Sequence, residues 1–364
     1  MNRIEDLDPN FVQSLQLQPM DVFYDVREAP FRLHGLSLDD GRFLRMPEAV
    51  ATQVSEGVHA LNAHTSGGRV RFATDAAYLH VCVTLPGTDF MSHMPLTGSS
   101  GVDVWCDDAQ GVSRCIAVVR PLINFGTKLA QYAATVELPG TGMRTVTLYL
   151  PLYDGINDLR VGLPQSACVA APRAYALETP IVFYGSSITQ GGCASRTSGG
   201  HCALLARWLD ADFVNLGFSG NGKGEETMAH YIASLSMSAF VMDYDHNAHD
   251  AADLERTHAP FFRIVRQAHP SLPIVLISKP DLFETQPQIN AERLAVILRT
   301  YEQARAAGDK QVYFVDGETL FGVAHRECCT VDGCHPTDLG FYRMAEGILP
   351  TLRRALESAS CIGL

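Results

Sequence analysis

Residues 181–192 read Ile-Val-Phe-Tyr-Gly-Ser-Ser-Ile-Thr-Gln-Gly-Gly. A short, continuous apolar run bounded by glycine has the signature of a strand buried on both faces. Gly185 permits a tight turn after it, and Ser187 is presented at the strand end ahead of a helix. Four more apolar runs follow at Phe213–Leu216, Phe240–Met242, Ile274–Ile277 and Val312–Val315. Segments of helical period separate them, near Gly200–Leu209, Glu225–Ser234, Asp253–Ala268 and Asn290–Ala307, and a last one runs from about Thr337 to Leu356. The alternation predicts a three-layer α/β/α fold, with a doubly wound five-stranded parallel sheet and ligands at the carboxyl ends of its strands.

Upstream the rhythm differs. From about Phe23 to Leu163, short alternating runs such as Val70–Ala73, Tyr78–Val83 and Thr145–Leu150 are separated by Gly, Pro, Asp and Asn. Period-two alternation predicts half-buried strands, hence an all-β sandwich or jelly roll. The join falls in Ser166–Thr179, giving an N-terminal domain over 1–176 and an α/β domain over 177–364. A length of 364 residues suits two domains of about 100–200 residues each.

Composition narrows the function. Hydrophobic residues make up 46% and charged residues 19%, a globular balance. The net charge is −12 and no Lys/Arg stripe is present, which argues against nucleic acid as a partner. The first twenty residues carry Asp and Glu without an apolar stretch, and nowhere do about 18 apolar residues follow one another. A soluble cytoplasmic protein with no membrane partner is therefore the expectation. The ten cysteines contain no CxxC pair, so free thiols in a reducing compartment are expected rather than a zinc ribbon or a disulfide scaffold.

Chemistry concentrates at the strand ends. Asp332-Gly333-Cys334-His335-Pro336 stands between the last strand and the last helix. A carboxylate three residues ahead of an imidazole on a tight loop can accept the Nδ1 proton and leave Nε2 free to take a proton from serine. Acyl transfer also needs donors for an oxyanion. Asn-Leu-Gly-Phe-Ser-Gly-Asn-Gly-Lys-Gly at 215–224 can supply a backbone amide, with Gly220 favoured. Asp243-Tyr244-Asp245-His246-Asn247-Ala248 can supply the Asn247 side chain. Taken singly, each stretch is also an ordinary turn or helix cap.

The four stretches in this order resemble the blocks of the SGNH, or GDSL-like, hydrolase superfamily over about residues 179–357. The resemblance implies a flavodoxin-like domain and a triad of Ser187, His335 and Asp332. It also implies an oxyanion hole built from the Ser187 and Gly220 amides and the Asn247 side chain. The usual Gly-Asp-Ser-Leu stands as Gly185-Ser186-Ser187-Ile188, so the family register selects Ser187 with Ser186 as the fallback. The usual Gly-x-Asn-Asp stands as Asp245-His246-Asn247-Ala248, without its glycine. Gly101-Val102-Asp103-Val104-Trp105 is similar to the Gly-x-Asp-Leu-Tyr signature of a β-sandwich module found ahead of SGNH domains in carbohydrate esterases.

The function expected on this basis is a serine esterase that deacetylates carbohydrate through an acyl-enzyme, with no cofactor or metal and with a small-molecule or oligosaccharide ester as partner. A lysophospholipase or acyl-thioesterase and a non-catalytic sugar-binding protein are the alternatives. The sandwich could bind glycan, shape the active-site rim or form a homo-oligomer interface. Asp103 and Trp105 could contact a sugar, but a structural role is the expectation, with Trp105 packing in the sandwich. Cys334 is read as packing, Arg196 and Lys223 as solvated loop charges with a place at the mouth of the pocket as the alternative, and His246 with His249 as a superficial metal pattern.

Overall fold

The computed structural model describes residues 4–87, 90–108, 110–121, 131–280 and 287–359. The N-terminal half is a sandwich of two antiparallel sheets. One is ordered 21–25, 158–164, 78–84, 131–137, and the other 169–170, 69–74, 144–149, 102–107, 113–119, with 32–34 also pairing on 69–74. Val70, Phe72, Val104, Val146 and Leu148 fill the space between the sheets and are fully buried. The stretch read as a join thus contributes strand Val169–Ala170 to the second sheet.

The outer face of that second sheet departs from the half-buried expectation. Every residue of 69–74 and 144–149 is buried, although Arg69, Arg71, Thr145 and Thr147 point away from the sandwich core. Polar outward residues are buried here because the α/β half covers them. Arg69 lies with its guanidinium 3.8 Å over the Phe213 ring, donates to the Phe213 carbonyl at 3.0 Å and pairs with Asp212.

The α/β half has five parallel strands: β1 (Leu177–Gly185), β2 (Ala211–Gly217), β3 (Ala239–Asp243), β4 (Ile274–Ile277) and β5 (Val312–Val315). Their order is β2-β1-β3-β4-β5, the flavodoxin-like arrangement, which reverses direction beside β1. The helices are α1 (Ser187–Gln190), α2 (His201–Trp208), α3 (Glu226–Ala233), α4 (Ala251–Ala268), α5 (Pro287–Ala306) and α6 (Asp338–Ser358). Ile181 and Phe183 of β1 face a core shared with α2 and α6, whereas Val182 and Tyr184 face one shared with α3 and α4. Burial on both faces is why these strands are continuously apolar.

The two halves share cores. Tyr149 and Leu152 of the sandwich enter the first, and Met46, Ala51 and Val58 enter the second. Among the described residues no helix is long and apolar enough to cross a membrane. The nine described cysteines are free, and Cys361 lies outside the described residues.

Candidate active site

At the carboxyl end of β1 the chain turns within two residues. Gly185 is required there because a side chain would collide with Thr189 and with the Asp243 carbonyl of the neighbouring strand. Ser186 is fully buried, and its hydroxyl accepts from the Ile188 amide at 3.2 Å as the cap of α1. Ser187 follows with its Oγ 2.9 Å from His335 Nε2. The two serines therefore differ in kind: one closes a helix end and the other meets an imidazole.

His335 Nδ1 lies 2.7 Å from Asp332 Oδ2. The loop that makes this contact is a tight hairpin, with Thr330 bridged to Pro336, the Val331 amide donating to the His335 carbonyl at 2.9 Å, and Gly333 at φ +85°. Asp332 Oδ1 accepts from the amides of Cys334 at 3.0 Å and His335 at 2.7 Å. Partial burial pushes this carboxyl up, but those amides and the imidazole outweigh it and hold it down at about 2. Asp332 is thus a carboxylate at neutral pH that can orient the ring so that Nε2 faces the hydroxyl.

Two further loops flank the serine. Gly220, after β2, has φ +66°, and its amide, like that of Ser187, has no intramolecular acceptor among the described residues. The Asn247 side-chain amide donates to the carbonyls of Phe218 and Gly222, both at 3.1 Å, so it fastens the 218–222 loop. Arg45 braces the same loop from below. It is buried, donates to the Gly217 carbonyl and lies 4.2 Å over the Phe218 ring, and burial pulls its guanidinium down to about 9.

Comparison with known proteins fits this geometry. Residues 178–353 match the GDSL-like lipase/acylhydrolase family, and residues 22–169 match the GxDLY N-terminus of SGNH-hydrolase-type esterases. The α/β half belongs to the GDSL-like lipase/acylhydrolase family. Among solved structures it is similar to a GDSL-like lipase candidate from Bacteroides ovatus ATCC 8483, at 26% identity and a TM-score of 0.83 over 93% of this chain and 98% of that one. It is also similar to the salicylyl-acyltransferase of a tetracycline biosynthetic pathway, at 22% identity and a TM-score of 0.76 over 94% and 99%. The fold extends to a family two carbohydrate esterase from Cellvibrio japonicus, at 15% identity and a TM-score of 0.60 over 93% and 98%. No curated protein matches the sequence.

The GxDLY motif of this GDSL-like protein lies where strand alternation sends it. Val102, Val104 and Cys106 face the sandwich core, so Asp103 and Trp105 face outward, onto the α/β half. Trp105 therefore does not pack inside the sandwich as expected. Its Nε1 donates to Ser198 Oγ at 3.1 Å, and Asp103, fully buried, accepts from the Ser198 amide at 3.1 Å and from its hydroxyl. The motif clamps the two halves together.

The sandwich also reaches the GDSL serine, a contribution that sequence reasoning missed. Tyr153 Oη donates to the Ser187 carbonyl at 3.3 Å, and the His93 ring lies 5.8 Å from that of His335. Gln190 Nε2 donates to the Leu152 carbonyl at 3.0 Å and its Oε1 accepts from the Ser219 amide at 2.9 Å, tying both halves to the site. These partners are separated by long stretches of chain and carry no local motif.

The remaining expectations resolve individually. Arg196 lines a different cavity, and Lys223 is exposed. His246 sits with Asp243 and Asp245, whereas His249 sits at the surface with Asp250 and Asp253, so the i, i+3 pair does not share one cluster. Cys334 lies beside His246 at 4.0 Å. Cys193, behind His335, is buried, and burial with the Asp332 charge pushes its thiol up to about 12, so it offers no thiolate at neutral pH.

Proposed function

We propose that the chain is a serine esterase in which Ser187 is the nucleophile, His335 the general base and Asp332 the group that orients it. The observation that carries this reading is the continuous line from Ser187 Oγ to His335 Nε2 at 2.9 Å and from His335 Nδ1 to Asp332 Oδ2 at 2.7 Å. Ser187 Oγ attacks the ester carbonyl carbon as its proton passes to Nε2. The tetrahedral oxygen takes the negative charge, the bond to the alcohol oxygen breaks, and the imidazolium returns the proton to the departing alcohol. Water repeats the sequence on the acyl-enzyme and releases the acid.

The oxyanion is held by the amides of Ser187 and Gly220, which have no intramolecular acceptor among the described residues. Asn247 joins them by exchanging its Gly222 carbonyl for the substrate oxygen. The substrate is a short-chain ester of a carbohydrate, an acetylated sugar above all. Support comes from the polar and aromatic rim that the sandwich brings, with His93 beside His335 and Tyr153 beside Ser187. The family two carbohydrate esterase among the structural neighbours is consistent with this reading at the level of the fold. Hydrolysis rates over acetylated sugars and aryl esters from acetyl to octanoyl test it. The expected result is highest kcat/KM on acetyl esters, and a preference for octanoyl would replace the sugar ester by a lipid or thioester substrate.

A further inference from the structure

A cavity of about 770 Å³ opens between the outer face of the sandwich sheet and helix α2, extending to Ala211, the first residue of β2. It contains none of Ser187, His335 and Asp332, which sit at the opposite, carboxyl end of the parallel strands. Its size is that of small-molecule sites. Four arginines line it, Arg71, Arg173, Arg196 and Arg207, in a chain of net charge −12. Both tryptophans of the protein, Trp105 and Trp208, stand in its wall.

The carboxylates nearby are engaged away from Arg71. Arg173 holds Asp107 at 2.8 Å and Asp210 at 2.7 Å, and Asp103, bonded to Ser198, feels the charges of Arg196 and Arg207. Arg71, Arg196 and Arg207 form no ion pair among the described residues. Arg71 is 2% exposed, stacks 3.8 Å over the Tyr175 ring and places only its Nε near an acceptor, Thr147 Oγ1 at 3.4 Å. Its two terminal nitrogens have no acceptor among the described residues. A buried guanidinium is costly unless its fork is filled, and a carboxylate fills it in two parallel bonds. Arg207 is held in place over Trp105 at 4.2 Å, so the cationic wall is preorganised. Beside it, Trp208 and Tyr342 meet edge to face at 5.4 Å, a surface suited to a flat ring.

We propose that this cavity is a second binding site, separate from the esterase centre, for a ring that carries a carboxylate. The carboxylate sits in the Arg71 fork, and the ring lies against the aromatic wall. A sugar acid and an aromatic acid share this chemistry, and the test separates them.

Because both tryptophans line the cavity, intrinsic fluorescence reports on it directly. The full-length protein is titrated with glucuronate, benzoate and neutral glucose, before and after Ser187 is blocked by a phosphonate. Saturable quenching or enhancement by one or both anions, unchanged by the block and absent with glucose, is expected; the anion that saturates identifies the source. Arg71→Gln should weaken binding at least about tenfold while leaving aryl-acetate hydrolysis unchanged. Arg71→Lys, which keeps the charge but not the fork, should weaken it as well and serves if the Arg71→Gln variant does not fold. No saturable signal with either anion, equal binding of glucose, or binding abolished by the phosphonate overturns the proposal.

Discussion

The Ser187 centre and the arginine cavity are both polar sites held between the same two halves, yet they are built in opposite ways. At the first, Ser187, His335 and Asp332 satisfy one another in one line, and the carboxylate is further satisfied by two backbone amides. At the second, the buried Arg71 guanidinium faces a cavity without an ion pair among the described residues. A self-satisfied line can stand open to water, and Asp332 keeps 39% of its side chain exposed. An unsatisfied buried cation cannot be left so cheaply, because its lost hydration has to be replaced. On the two proposals, the first site acts on a passing substrate and the second is completed by a ligand.

That contrast can be broken most severely at the serine. Ser187→Ala should lower kcat on an aryl acetate on the order of 10³-fold or more, with thermal unfolding unchanged. Retained activity would remove Ser187 from the line. Next comes the oxyanion: Asn247→Ala should cost about 10²–10³ in kcat if its amide turns to the substrate, whereas a change below about threefold would leave it as a loop fastener only.

Protonation sharpens the comparison further. With Asp332 held at about 2, it stays charged across the working range, so the acid limb of kcat/KM should come from protonation of the imidazole alone. The rate should fall about tenfold per pH unit on that limb, with unit slope. A second ionisation between pH 3 and 6 would show that Asp332 is not the carboxylate described.

Smaller effects test the joints between the two regions. Ser198→Ala removes the hydroxyl that donates to Asp103 and accepts from Trp105, and should cost about 1–3 kcal/mol in chemical denaturation with kcat nearly unchanged. Ser186→Ala removes a helix cap and should cost about 1 kcal/mol, again with kcat nearly unchanged. A collapse of activity in Ser186→Ala comparable to that in Ser187→Ala would erase the distinction between the two serines.

Legibility in the sequence followed the same divide. The five strands were readable because burial on both faces demands unbroken apolar runs, and Asp332 with His335 because the partners stand three positions apart in one hairpin. Ser187 and Ser186 could not be separated by residue type, since their difference lies in which hydroxyl turns back to cap α1. Residues 102–106 fall in the stretch read as all-β, but their outward side chains were not seen to be covered by the α/β half, which is why Trp105 was misplaced. Tyr153, His93 and Arg71 act at long chain separation, where no spacing announces them.

The most direct test of the central assignment is to treat the protein with a fluorophosphonate and map the adduct by peptide mass spectrometry, with His335→Ala as a parallel sample. One adduct on Ser187, strongly slowed in His335→Ala, is the predicted result. An adduct on Ser186, or none on a protein that still hydrolyses the ester, would contradict it.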